Sequence, residues 1–123
     1  MSKVPSKYRG SGQYFIIFNE LVAAARHRGT ATYQELADLI GLPATGAHMG
    51  HEIGQILAEI SEDECERNHP MLSAAAVNKN GEPGSGFYEL ARTLGKLGSG
   101  ESEDRFWQTE REKVYERWQR KFS

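Results

Sequence analysis

Four side chains of the types that bind metal ions occur as two closely spaced pairs. His48 and His51 lie three residues apart, and Cys65 and His69 lie four residues apart. One cysteine and three histidines are enough for a tetrahedral zinc site. The two pairs fall in different predicted elements, however, and the chain has no second cysteine. Solvent-facing histidines explain them more simply, so we predict no metal or other cofactor and leave a zinc site open as the alternative.

A complete catalytic set is not evident. His69, Ser73 and Glu82 have the residue types of a hydrolase, but Ser73 lies in an apolar run without the glycines of a nucleophile elbow. The glycine-rich run at 78–86 lacks the spacing of a phosphate-binding loop, and a tight turn explains it better. Because no nucleophile, base and orienting group occur together, we predict that the protein is not an enzyme.

Composition and charge limit the classes of protein to which this chain can belong. A chain of 123 residues has room for one domain, and its single cysteine fits a reducing compartment. No apolar stretch is long enough to span a bilayer, so we expect a cytoplasmic protein without membrane contact. Residues 1–30 contain five Lys or Arg and one carboxylate, whereas residues 31–66 contain eight carboxylates and no Lys or Arg. The acidic middle counts against nucleic-acid binding, which usually uses a basic face.

The hydrophobic pattern predicts a mostly helical α+β domain. Apolar residues at helical spacing predict five helices, over residues 13–28, 33–40, 45–60, 86–97 and 104–121. Thr32 and Glu35 form a capping-box pattern at the start of the second helix. The apolar run 71–77 reads as a buried strand, although its alanines would equally suit a helix. The acidic stretch 61–67 before it reads as a solvated turn or a frayed helical end.

This order of elements is typical of a winged helix-turn-helix with added N- and C-terminal helices. We divide the single domain into a flexible basic arm at 1–10, a winged-helix core at 13–97, a linker at 98–102 and a C-terminal helix at 103–121. The loop at 78–84 would form the wing.

Residues 32–95 resemble a known DNA-binding domain. The run TYQELA from Thr32, followed by LIGLP from Leu39, is similar to the opening of the DNA-binding domain of alkylguanine-DNA alkyltransferases and alkyltransferase-like proteins. Gly50 matches a glycine of that family's recognition helix, and the segment from His69 to Met71 falls at its Pro-Cys-His-Arg-Val motif. The resemblance implies the fold and a surface that in relatives meets DNA.

This chain lacks the residues that the family uses for alkyl transfer. Met71 stands where the family has its alkyl-accepting cysteine, and a thioether cannot form the thiolate that the reaction needs. Ala47 replaces the arginine that enters the duplex. Cys65 lies in an acidic stretch that disfavours its thiolate. Alkyl transfer is therefore not expected.

We accordingly predict a non-enzymatic protein that binds double-stranded DNA weakly and in a salt-dependent manner. The start of the third helix would enter a groove, the loop at 78–80 would contact the backbone, and the basic arm would add phosphate contacts. The predicted contact residues are Thr32, Tyr33, Thr45, His48, His51, Gln55, Asn78, Lys79, Asn80, Lys3, Lys7 and Arg9.

The alternative is a protein-interaction module on the same fold. Trp107, Tyr115 and Trp118 share one face of the last helix. That face would pack on the domain, or it would dock a partner or a second copy of the chain. The acidic middle segment would serve the same kind of interaction.

Overall fold

The computed structural model describes residues 2–43 and 46–119, and it shows a mostly helical domain. The five predicted helices are confirmed. They are α1 (Gly12–Arg26), α2 (Tyr33–Leu39), α3 (Gly46–Glu66), α4 (Ser85–Thr93) and α5 (Glu103–Trp118), with a 3-10 helix at Leu72–Ala75. The predicted cap of α2 is also present, because the Thr32 hydroxyl accepts a hydrogen bond from the Glu35 N–H at 3.1 Å.

The β structure is smaller than the sequence suggests. Two strands of two residues each, β1 (Ala31–Thr32) and β2 (Ala76–Val77), pair in parallel, with Ala31 opposite Ala76. The predicted strand over 71–77 is therefore wrong for its first part, which forms the 3-10 helix. Its alanines suit either conformation, and the buried pattern alone does not distinguish them.

No wing hairpin follows β2 in the described part of the chain. The side-chain oxygen of Asn78 accepts hydrogen bonds from the N–H groups of Asn80 and Glu82, and Gly81 has a φ of +80°. These features close a tight turn. The chain then passes through Gly84 directly into α4, so the glycine-rich loop joins a strand to a helix.

The core lies where α1, α3 and α5 surround the 3-10 helix. Leu72 and Ala74 of that helix are fully buried, and the Trp107 indole N–H of α5 donates to the Ala74 carbonyl at 2.9 Å. Large apolar side chains that are fully buried complete this core: Ile17, Leu21, Leu36, Ile53, Ile56, Ile60, Met71 and Val114. No helix in the described ranges is long and apolar enough to cross a membrane.

The acidic stretch after Ile60 continues α3 for six more residues. Ser61, Glu62 and Glu64 are buried there, so the predicted solvated turn is wrong and the alternative of a helical end is nearer to the structure. Each of the three has a hydrogen-bonding partner within the protein. Glu64, for example, bonds His69 and Arg67 at 3.0 Å each.

Residues 2–9, here called the N-terminal strap, lie against α3. Val4 is buried, and the N–H groups of Tyr8 and Arg9 donate to the Glu59 carboxylate at 2.9 and 2.8 Å. The N–H groups of Lys3 and Val4 donate to Glu62. The prediction of a free basic arm is therefore wrong for these residues, because buried carboxylates of α3 hold their backbone and side chains.

Candidate nucleic-acid interface

A cleft of about 420 Å³ opens between α3 and the start of α4. Small residues form much of its wall, and it is here called the α3–α4 cleft. It brings together residues from α2, α3, the 3-10 helix and α4: Tyr33, Gly50, His51, Gly54, Gln55, Leu57, Ala58, Ser73, Gly84, Ser85, Gly86, Phe87 and Leu90. Three of the predicted DNA contacts, Tyr33, His51 and Gln55, therefore meet at one site.

Tyr33 is fixed at the edge of the cleft by the loop before α4. Its hydroxyl oxygen accepts a hydrogen bond from the Gly84 N–H at 3.0 Å, which leaves the hydroxyl proton free to donate. A Cβ at position 84 would lie 2.9 Å from that oxygen, so this close approach requires glycine. Burial raises the pKa of Tyr33, so the hydroxyl stays protonated at neutral pH.

The wall formed by α3 is open because it carries glycines. A Cβ at Gly50 or Gly54 would meet no atom within 4 Å. His51 stands beside them with 77% of its side chain exposed, and its Nε2 is 3.9 Å from the Glu52 carboxylate. A planar group can therefore approach the α3 backbone here, with an imidazole at its rim.

Gln55 belongs to both the cleft and the strap. Its side-chain nitrogen donates to the Pro5 carbonyl at 2.7 Å and to Glu59 at 2.9 Å. Both amide protons are thus used, and only the amide oxygen remains to face a ligand. A bidentate contact of this amide with a base edge is not possible in this arrangement.

Ser73 is a cleft residue that sequence reasoning did not place at the site. It is buried, and its N–H donates to the Ser61 hydroxyl at 3.0 Å, while that hydroxyl donates back to Ser73 Oγ at 2.7 Å. Its own hydroxyl proton is then left to donate. The run Pro83-Gly84-Ser85-Gly86 was the available signal for this wall, but the sequence indicates only a turn there.

The cations of the strap are paired within the protein. Lys7 bonds Glu52 at 2.6 Å, and Arg9 bonds Glu62 at 2.6 Å and Asp63 at 3.0 Å. Lys3 Nζ donates to the Thr93 carbonyl at 3.2 Å. The structure thus directs Lys7 and Arg9 toward carboxylates of α3.

Hydrogen bonding lowers the pKa values of the carboxyl groups that hold the strap. Bonds from Lys7 and from the Tyr8 hydroxyl lower the pKa of Glu52 to about 2. For Glu62, burial acts to raise the pKa, but bonds from Ser2, the Lys3 N–H and Arg9 outweigh it and lower the pKa. These groups are therefore charged at neutral pH.

The predicted wing residues lie outside the lining of the cleft. Asn78 uses its side-chain oxygen in the turn, whereas Lys79 and Asn80 are exposed. Lys79 makes no ion pair within residues 2–43 and 46–119. Thr32 uses its hydroxyl as the cap of α2, and Thr45 falls outside the described residues.

The possible metal ligands are dispersed along α3. His51 and Cys65 are fourteen residues apart on one helix, which separates them by about 21 Å. His48 is exposed near the first turn, while His69 bonds Glu64. The described residues contain no group of three or more potential ligands close enough to share an ion. Burial raises the pKa of Cys65, which disfavours its thiolate.

The aromatic face of α5 is docked on the domain. Trp107 and Tyr115 are buried, and the Tyr115 hydroxyl donates to the Gly29 carbonyl at 3.0 Å. The Trp118 ring makes edge contacts with Phe18 and His69, with ring centroids 6.1 and 6.0 Å apart. These rings pack on the domain, which was one of the two interpretations of the sequence. A partner could contact the buried rings only if α5 left the domain.

Comparisons with known proteins identify no relative. No family model, no curated protein and no solved structure matches the chain.

Proposed function

We propose that the protein binds double-stranded DNA through the exposed face of α3 and the adjoining α3–α4 cleft, without catalysis. In this proposal α2 and α3 form a helix-turn-helix of winged-helix type, and α3 is the recognition helix. The resemblance of residues 32–95 to the alkyltransferase-like DNA-binding domain supports the same surface.

The observation that carries the proposal is the convergence of Tyr33, His51 and Gln55 on one cleft. These residues come from the start of α2 and the exposed side of α3, where a recognition helix presents its side chains. The cleft has hydroxyl donors at Tyr33 and Ser73, an acceptor at Gln55 and apolar walls. It offers a site for a base that leaves the stack, a step that DNA-modifying and repair proteins use.

The charge distribution sets the expected strength of binding. α3 contains no Lys or Arg, and the strap cations Lys7 and Arg9 are paired with its carboxylates. Lys79 and the histidines at the start of α3 are the groups best placed for phosphates. Because few cations are available, we expect weak binding that falls as salt rises.

The interaction-module hypothesis has less support. It depended on the aromatic face of α5 and on the acidic middle segment. Tyr115 and Trp107 are packed against the domain, and Glu59, Glu62 and Glu64 are buried against the strap or the turn after α3. Among the described residues, the large apolar side chains exposed to a protein partner are Leu39 on α2, 46% exposed, and Phe15 and Ile16, 52% and 44% exposed, which form a small patch on α1.

The test is a fluorescence-anisotropy titration of labelled duplex DNA with the purified protein at about 20 mM and 150 mM salt. We expect saturable binding at low salt and a dissociation constant that rises by about tenfold or more at the higher salt. Absence of binding at low salt would overturn the proposal and direct attention to the α1 patch.

A further inference from the structure

One row of α3 is acidic and buried beneath the strap. Four carboxylates, here called the acidic row, share one side of the helix: Glu52, Glu59, Glu62 and Asp63. Glu59 lies seven residues after Glu52, and Glu62 and Asp63 follow it by three and four residues, which are helical spacings. Glu59 is fully buried, and Glu52 and Glu62 are about 5% exposed. Carboxylates buried to this extent require compensating charge and hydrogen bonds.

The strap supplies both kinds of compensation. Its backbone gives four N–H groups to Glu59 and Glu62, and Lys7 and Arg9 give two positive charges to the row. The Tyr8 hydroxyl also bonds Glu52, and the Tyr14 hydroxyl of α1 bonds Asp63 at 2.6 Å. The strap is thus bound to α3 in the way that an extended basic peptide binds an acidic surface.

The acidic row and the cleft are neighbouring sides of the same helix turns. Glu52 follows His51 of the cleft rim, and Gln55 is held by Pro5 of the strap while it lines the cleft. An uncompensated carboxylate at Glu52 would repel a phosphate at His51. Release of the strap would also remove the Pro5 carbonyl from the Gln55 amide, which would keep only its bond to Glu59.

We propose that the N-terminal strap is an electrostatic latch whose closure on the acidic row permits an anionic ligand to bind the adjacent cleft. The inference rests on the proposed function for the identity of that ligand, which is DNA. In this account Lys7 and Arg9 are positioning residues that favour binding without touching the ligand.

The test uses the full chain and the double variant Lys7→Gln/Arg9→Gln. At low salt we expect its dissociation constant for labelled duplex DNA to rise by about tenfold. Amide exchange of the Tyr8 and Arg9 N–H groups should accelerate in the same variant, because the latch opens, while exchange of the Ile56 N–H in the core reports that the fold is kept.

Two rescue variants of equal net charge separate the latch from a general charge effect. In the double-variant background, Glu52→Gln/Glu62→Gln removes the carboxylates that the strap neutralises. The matched control, Glu66→Gln/Glu116→Gln, removes two exposed carboxylates instead. We expect the first pair to restore affinity to within about threefold of the unaltered protein, and the second pair to leave most of the loss.

The outcomes distinguish the latch from the function on which it rests. Equal rescue by both pairs, or a double variant that binds DNA as well as the unaltered protein, would overturn the latch alone. Absence of DNA binding by the unaltered protein would overturn the proposed function and, with it, the effect assigned to the latch.

Discussion

The two sides of α3 differ in what fills the space beside them. On the strap side, Glu59 and Glu62 are buried and bonded to backbone N–H groups and to cations. On the cleft side, Gly50 and Gly54 leave space, and a Cβ at either position would meet nothing within 4 Å. The strap side therefore contributes to folding, and the cleft side is available for a ligand.

This difference changes the meaning of the acidic segment. A net negative charge over residues 31–66 indicates a surface that avoids DNA. In the folded protein most of that charge on α3 is turned toward the strap, and the face beside the cleft carries His51 and small residues. Charge counted along a sequence and charge presented to a partner are thus different quantities.

The largest effect is expected on the strap side of α3. Glu62→Ala leaves the N–H groups of Lys3 and Val4 without their acceptor and removes one of the two carboxylates that pair with Arg9. We expect the free energy of unfolding to fall by about 2 to 3 kcal/mol, measured by urea denaturation. The control Glu66→Ala changes an exposed side chain on the same helix and should cost less than about 0.5 kcal/mol. An equal loss of unfolding free energy in Glu62→Ala and Glu66→Ala would contradict the stabilising role of the strap side.

The next effect concerns the fit of the cleft rim. Gly84→Ala places a Cβ 2.9 Å from the Tyr33 hydroxyl, so the ring must shift, at an expected cost of about 1 to 2 kcal/mol. Gly86→Ala, two residues later in α4, meets nothing within 4 Å and should be neutral or stabilising by up to about 1 kcal/mol. Thermal unfolding of the two variants measures the difference. A destabilised Gly86→Ala with a neutral Gly84→Ala would contradict the described packing.

The smallest effect is expected from pH, because Lys7 is half exposed and its pair with Glu52 is correspondingly weak. The folded-state pKa of Glu52, about 2, lies below the ordinary value of 4.5 for a glutamate side chain. Its stabilising contribution is therefore present above pH 4.5 and lost as the pH falls toward 2. In urea titrations, Glu52→Gln should be less stable than the unaltered protein at pH 7, and the gap should close by about pH 2. A gap that stays constant would show that the carboxylate charge does not hold the strap.

Local patterns predicted the helices well and the polar contacts poorly. The periodic spacing of Ile53, Ile56 and Ile60 placed α3, and Thr32 with Glu35 placed the start of α2, because both signals lie within a few residues. The burial of Glu62 depends on residues 2–9, about sixty positions away. No local rule connects those segments, and a free arm and a solvated turn were the natural predictions.

The candidate site was likewise predictable where it depends on local helix signals and not where it depends on contacts between distant segments. The helix signals brought Tyr33, His51 and Gln55 into consideration, and the fold places them at one cleft. Ser73 is held at that cleft by its bonds to Ser61, and Gly84 by its bond to the Tyr33 hydroxyl, 51 residues away in the sequence. The wing prediction failed for the related reason that a turn sequence does not specify whether a strand or a helix follows it.

The most direct test of the central claim is to fill the α3–α4 cleft and measure DNA binding. Gly54→Phe places a ring in the cleft from a position where a Cβ meets no neighbour, and Thr109→Phe adds the same ring at an exposed position of α5. The account predicts that at low salt Gly54→Phe weakens duplex binding by about tenfold, a loss of about 1.4 kcal/mol, while Thr109→Phe binds like the unaltered protein. Equal affinity of both variants and the unaltered protein would contradict a role for the cleft face of α3 in binding DNA.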